Sequence, residues 1–212
     1  MSTQQRRQRE REAVRAKILD AARELFVAKG VEAVTMRKIA AKIEYTATAL
    51  YSHFADKESL LRAVCDHDFR TLRSAFERIA RIADPIERLR EVGREYVRYA
   101  LKYPNHYRLM FMTPQTKPDP AKSAIERGNP DQDAYAFLKA ITAEAITAGR
   151  FRDELKDADQ LAQVVWSSVH GVVALYLTKG HDGWIDWRPV PATAELIIDA
   201  MLRGLLKEKK GK

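Results

Sequence analysis

The residues best suited to chemistry lie in the run TMRKIAAKIEYTATALYSHFADKESLL, residues 35–61. Two short apolar-periodic segments, 36–43 and about 46–53, flank the turn Glu44-Tyr45, the spacing of a helix-turn-helix. Thr35 and Thr46 are good N-caps for them. Ile39, Ala40 and Ile43 can face a partner helix, while Leu50 and Phe54, four apart, point inward together. The outward face of the second segment is then Thr46, Ala47, Thr48, Tyr51, Ser52 and His53. Small residues at its start let the backbone sit deep in a major groove, where threonine methyl and hydroxyl groups touch base edges. Tyr51, His53 and Lys57 suit phosphates, offering a phenol, an imidazole and a point charge. N–H groups at the helix starts capped by Thr35 and Thr46 add anion sites. The chemistry implied is non-covalent recognition of double-stranded DNA.

On those residues the segment resembles the DNA-binding region of the TetR family of bacterial transcriptional regulators. Thr35, Ile39-Ala40, Leu50-Tyr51, His53-Phe54 and Lys57-Glu58-Ser59-Leu60 match the family pattern. Upstream, Ile18-Leu19-Asp20-Ala21-Ala22-Arg23-Glu24-Leu25-Phe26, followed by Gly30, matches its first helix. The resemblance covers roughly residues 12–72. It implies backbone contacts from Thr35, Tyr51, His53 and Lys57, with Ala47, Thr48 and Ala49 nearest the bases. Glu44 stands where the family usually has Gly, and Tyr45 where it has a small aliphatic residue. A non-Gly residue at positive φ in that turn costs about 1 kcal/mol. The second helix carries no Arg, Asn or Gln, so bidentate base readout falls to Arg37 and to the Arg-rich N-terminus, with shape and thymine methyls carrying the rest.

The elements that must position this site are helical throughout. Only nine Gly and eight Pro occur in 212 residues, and apolar residues recur at three- and four-residue steps. About nine helices are expected in an all-α fold: a three-helix DNA-binding head over 12–72, with its motif at about 35–54, then a helical domain over 73–207. Asp56 opens a long connecting helix, Asp84-Pro85 the next, and Pro104 a short one. Further helices are expected at about 133–149, 157–179 and 191–207. The proline-broken stretch 113–133 reads as a loop that could gate a pocket.

Charge is concentrated at the ends. The formal net charge is +8, from 37 Lys+Arg and 29 Asp+Glu. Residues 1–17 hold six basic and two acidic side chains, residues 203–212 five and one, and the remainder balances. A basic, flexible arm over 1–11 is therefore expected to face DNA, with 208–212 a solubilising tail. No apolar run reads as the ~20 residues of a membrane span, and the start lacks a signal-peptide core, so no membrane partner and a cytoplasmic location are expected. One cysteine, Cys65, excludes an intramolecular disulfide; on a helix Cys65 and His67 diverge, and Cys65 is expected buried. No nucleophile triad, paired carboxylates, phosphate loop or zinc signature occurs, so no enzyme, cofactor or metal is expected.

Two apolar helices near the C-terminus suggest a partner surface. Val165, Val169, Val172, Val173 and Tyr176, with Ile198, Met201, Leu202 and Leu205, form the expected homodimer interface, the alternative being a single chain's core. Trp166-Ser-Ser-Val-His170-Gly171 and residues 104–111 resemble one subgroup of TetR C-terminal domains. In the family this region surrounds an inducer pocket, which implies Tyr99, Tyr103, His106, Tyr107, Met110, Phe111, Phe137, Ile141, Trp166 and His170 as lining residues. Trp166 and His170 could equally be a packed pair. The resulting expectation is a repressor released from a palindromic operator by a small lipophilic or aromatic ligand. The alternative is an architectural protein that binds DNA non-specifically without an inducer.

Overall fold

A computed structural model describes residues 2–114 and 120–207. The basic tail at 208–212 and part of the 113–133 loop lie outside the described residues. The fold is all-α, with nine α-helices among the described residues: α1 (Thr3–Lys29), α2 (Met36–Lys42), α3 (Ala47–Tyr51), α4 (Lys57–Ala75), α5 (Pro85–Lys102), α6 (Pro104–Phe111), α7 (Ala134–Thr147), α8 (Ala158–Lys179) and α9 (Val190–Leu205). The chain divides into two compact units, Met1–Asp68 with Asn105–Ala124, and Phe69–Pro104 with Ile125–Lys212.

The first unit is built on α1. Ser2 and Gln5 close a reciprocal capping box, with Ser2 Oγ accepting from Gln5 N at 3.2 Å and Gln5 Oε1 accepting from Ser2 N at 2.9 Å. No glycine or proline interrupts the chain until Gly30, which ends the helix at φ 77° and donates its N–H to Phe26 O. The arm expected to be flexible over 1–11 is thus helical from Thr3 onward. Arg6–Glu10 and Gln8–Glu12 side-chain bonds at i,i+4 support it. Ile18, Ala22 and Phe26 then bury against Ile39, Leu50, Leu60 and Val64. Leu109 of α6 is fully buried in this same cluster. Past the expected boundary at residue 72, α6 thus shares the head's core through a non-local contact that leaves no local pattern. Cys65, expected buried, is only half-buried.

In the second unit α5 packs on α7, α8 and α9. Asp84 caps α5, accepting from the backbone of Ile86 and Glu87, with Pro85 in its first turn. Asp133 and Asp157 cap α7 and α8 in the same way. Gly93 lets the α5 backbone approach its neighbours closely: a Cβ there would lie 2.9 Å from Ile198 Cδ1 and 3.4 Å from Val169 Cγ1.

Two expectations are corrected in this unit. Val165, Val169, Val173, Ile198 and Leu202 have at most 2% of their surface exposed, inside this single chain. They are core, and cannot present side chains to a partner; apolar periodicity identifies a covered face but not what covers it. Secondly, α8 is 22 residues long with an 18-residue window of mean hydropathy 1.4, which is long and apolar enough to span a membrane. The polar residues Gln163, Ser167 and Ser168 interrupt its apolar run in sequence, which masked this. Leu161, Ala162, Val165, Val169 and Val173 bury one face of it in the core of the unit.

The close approach at Gly93 leaves no space for a branched side chain. Gly93→Val is expected to destabilise the chain by about 1–3 kcal/mol, seen as a lowered Tm in thermal unfolding, with Gly93→Ala milder because Ile198 Cδ1 can rotate away.

Candidate nucleic-acid interface

The helix-turn-helix forms because each of its short helices is capped by its own sequence. Thr35 Oγ1 accepts from Lys38 N at 3.3 Å, and Thr46 Oγ1 from Ala49 N at 3.2 Å. The turn between them is a Schellman arrangement: Tyr45 N donates to Ala40 O at 2.9 Å and Glu44 N to Ala41 O at 3.2 Å. That geometry puts Glu44 at φ 59°, the one non-glycine residue with positive φ among the described residues. The strain expected from the missing glycine is present.

Burial separates the two faces. Met36, Ile39, Ala40, Leu50 and Phe54 are buried, whereas Thr35, Arg37, Thr46, Thr48 and Tyr51 are exposed and Ala47, Ala49, His53 and Lys57 half-buried. Tyr51 keeps 54% of its surface exposed, a high value for an aromatic residue one position from a fully buried leucine. The nine residues expected at DNA therefore lie outside the head's apolar core. Lys57 has an additional local role: its Nζ donates to Val31 O at 3.0 Å, tying α4 to the loop after α1. Asp56 caps α4 by accepting from Ser59 N at 2.6 Å.

Positive charge borders this face. The Arg15 guanidinium lies 4.4 Å over the Phe54 ring. Partial burial, then the charges of Arg11 and Arg15, lower the His53 pKa below its ordinary 6.5. Glu44 is an exposed residue in the turn between the two helices, close to the same face.

Sequence reasoning missed the buried charges of the first unit. Asp68 is fully buried and accepts from Arg23 Nε at 2.9 and 3.1 Å and from Nη2 at 2.7 Å. Arg23 also donates to Asp20 at 2.6 Å, and His106 Nδ1 lies 3.1 Å from Asp68 Oδ1. The signal was available, since Asp68 sits midway between Val64 and Leu72 on the apolar stripe of α4.

The ten pocket candidates divide between the units: His106, Tyr107, Met110 and Phe111 fall in the first, the other six in the second. Tyr107 and Phe111 rings meet at 5.0 Å. In the second unit Tyr99 contacts Tyr103, with ring centroids 5.3 Å apart. Ile141 is core, and Phe137 stacks on Phe76 at 5.9 Å beneath the Arg73 guanidinium. Trp166 and His170 meet edge to face at 6.1 Å and share Tyr96: Trp166 Nε1–H donates to Tyr96 Oη at 3.0 Å, and Tyr96 Oη lies 3.0 Å from His170 Nδ1. Burial lowers the His170 pKa, favouring the neutral ring. The second unit also has an open cleft of about 410 Å³, lined by Arg127, Pro130, Tyr135, Lys139, Ala140 and Asp159 among others. None of the ten candidates lines it.

Comparison with known proteins bears on both units. Residues 18–64 match the family described as bacterial regulatory proteins, tetR family, and residues 89–201 the tetracyclin repressor-like C-terminal domain. The chain is 34% identical over 80 residues to the HTH-type transcriptional regulator UidR of Escherichia coli K12, covering 38% of each chain. It is 47% identical over 55 residues to SrpR of Pseudomonas putida, covering 26% of each. These matches span well under two thirds of those relatives' length. Among solved structures, a TetR family transcription regulator from Marinobacter aquaeolei VT8 superposes with a TM-score of 0.75 at 20% identity, covering 95% of this chain and 100% of that one. FadR from Bacillus subtilis, solved with stearoyl-CoA, gives 0.73 at 18% identity, covering 89% and 98%.

The turn and the histidines each have a measurable consequence. Glu44→Gly removes the left-handed strain at a smaller cost in chain entropy, so urea unfolding should show a gain of about 0.5 kcal/mol that Glu44→Ala does not give. Burial is the largest cause lowering the pKa of His53, His67 and His170 alike. The unfolded chain then takes up protons first as pH falls through 6.5, so stability is fully present above that value and lost below it. The drop in Tm from about pH 7.5 to about pH 5.5 should be smaller in His170→Gln than in the wild type.

Proposed function

Since the chain belongs to the TetR family of bacterial regulators, we propose that it is a homodimeric repressor of transcription that binds a palindromic operator. Members of the family are DNA-binding transcription factors and not enzymes, and a cytoplasmic location accords with that role. The observation that carries the proposal is the sorting of residues in the head. Every candidate DNA contact lies on the exposed or half-exposed side, while the alternating apolar residues lock α2 and α3 to α1. Thr48, with Ala47 and Ala49 beside it, is the base-reading edge; Thr35, Tyr51, His53 and Lys57 grip phosphates, and Arg37 reaches the groove edge.

The dimer face of this proposal uses the side chains that the monomer leaves outside. Val172, Tyr176, Met201 and Leu205 stay partly or largely exposed, joined by Val164, Leu175 and Leu196. A two-fold pair would place two heads one or more duplex turns apart. The effector is proposed to be small and lipophilic or aromatic, sensed through Trp166 and His170, whose pattern with Gly171 resembles that of one subgroup of the C-terminal domains. The Bacillus subtilis FadR, similar in fold, was solved with stearoyl-CoA, whose acyl chain is lipophilic although its coenzyme A head is large and anionic. Release follows if the ligand favours a state that cannot bind DNA. The lack of Arg, Asn and Gln on α3 favours the other reading, an architectural protein without operator or inducer.

Selection from a random duplex pool separates the two. A palindrome should be recovered by the wild type. Thr48→Ala should change the recovered bases, whereas Tyr51→Phe should weaken binding to all sequences alike without changing the motif. Recovery of no motif would support the architectural protein, and an unchanged motif in Thr48→Ala would remove its base-reading role.

A further inference from the structure

The stretch of α1 before the core carries a second pattern. Arg7, Arg11 and Arg15 are spaced at i,i+4, and the same line along the helix continues into Ile18, Ala22 and Phe26, all fully buried. The face that is apolar core in the second half of α1 is thus arginine in the first half. The acids of the stretch lie off that line and are engaged elsewhere: Glu10 accepts from Arg6 at 2.9 Å, and Glu12 from Gln8 at 2.7 Å. Among the described residues, Arg7, Arg11 and Arg15 take part in no ion pair with an acid.

The arginine line runs beside the reading head. Arg15 is seated over Phe54, three residues past the end of α3, and the charges of Arg11 and Arg15 reach His53. Because the helix is continuous from Thr3, Arg11 and Arg7 stand successive turns beyond Arg15, at about 6 Å per step and so over about 12 Å. Charges on one DNA strand rise about 3.4 Å per nucleotide, so that span covers three to four phosphates. Guanidinium groups fit phosphate oxygens in a bidentate manner.

We propose that Arg7, Arg11 and Arg15 form a preformed phosphate-binding edge that prolongs the DNA contact past the recognition helix. The edge rests on the DNA-binding role argued above. It binds the backbone of duplex DNA next to the bases read by α3 and adds affinity without adding sequence preference. The same concentration of positive charge contributes, after burial, to the lowered proton affinity of His53.

The test is the salt dependence of binding to fluorescein-labelled random-sequence duplex, measured by anisotropy. Arg7→Ala/Arg11→Ala leaves the Arg15–Phe54 pair intact. Removing one phosphate contact lowers the slope of log K against log salt by about 0.9, so the double variant should fall short of the wild type by nearly two per protomer. Its deficit relative to the wild type should shrink about tenfold per protomer between roughly 50 and 200 mM salt, and so on the order of a hundredfold for a dimer. Arg7→Lys/Arg11→Lys, which keeps the charges and the helix, should restore most of the slope. Equal slopes in wild type and double variant, both binding, would overturn the edge alone. A slope restored equally by Arg7→Gln/Arg11→Gln would do the same, since helix formation and not charge would then be responsible. Failure of the wild type to bind any duplex would overturn the DNA-binding role itself.

Discussion

The first unit is arranged around one buried charge. Asp68 has no solvent exposure, and a carboxylate in that position is tolerable only if another charge and several hydrogen bonds take the place of water. Arg23 supplies them with three contacts under 3.2 Å, so the C-terminal part of α1 is fixed to α4 in one register. His106 approaches the same carboxylate from α6, and Leu109, three residues on, enters the apolar cluster. One anion therefore collects three helices that are far apart in sequence. Removal of one member of such a pair typically costs about 3–5 kcal/mol, because the other is left buried alone. The position of α2 and α3 on this scaffold, and hence the aim of Thr48 and Tyr51, depends on that register.

Much of this architecture was legible because its helices announce their ends. Thr35, Thr46, Asp56, Asp84, Asp133 and Asp157 are all short polar side chains placed where helices begin, and each accepts from the first turn. Glu44 could be assigned a positive φ because it stands where the family that the segment resembles usually has Gly. Caps and turns are decided within a few residues, so a single sequence carries them in full.

Contacts between distant segments were not legible in the same way. Val169 and Ile198 look like a subunit interface in sequence, yet both pack against Gly93 within one chain. Leu109 follows a proline and reads as part of the second domain, yet it is buried in the apolar cluster of the head. In both cases the apolar period states that a face is covered and leaves the cover unspecified. The Arg23–Asp68 pair lay between these limits: a charge on an apolar stripe signals a hidden partner without naming it.

The continuity of α1 changes how its N-terminus can act. A disordered arm sweeps a large volume and finds its target early, but ordering it on binding costs about 1–2 kcal/mol for each backbone residue. A 27-residue helix is a rod of about 40 Å. It offers no capture radius beyond its own length, and in exchange its charges keep fixed positions. An arm of this kind acts as a ruler: it tolerates only a duplex whose groove and backbone run at the angle that the rod already has.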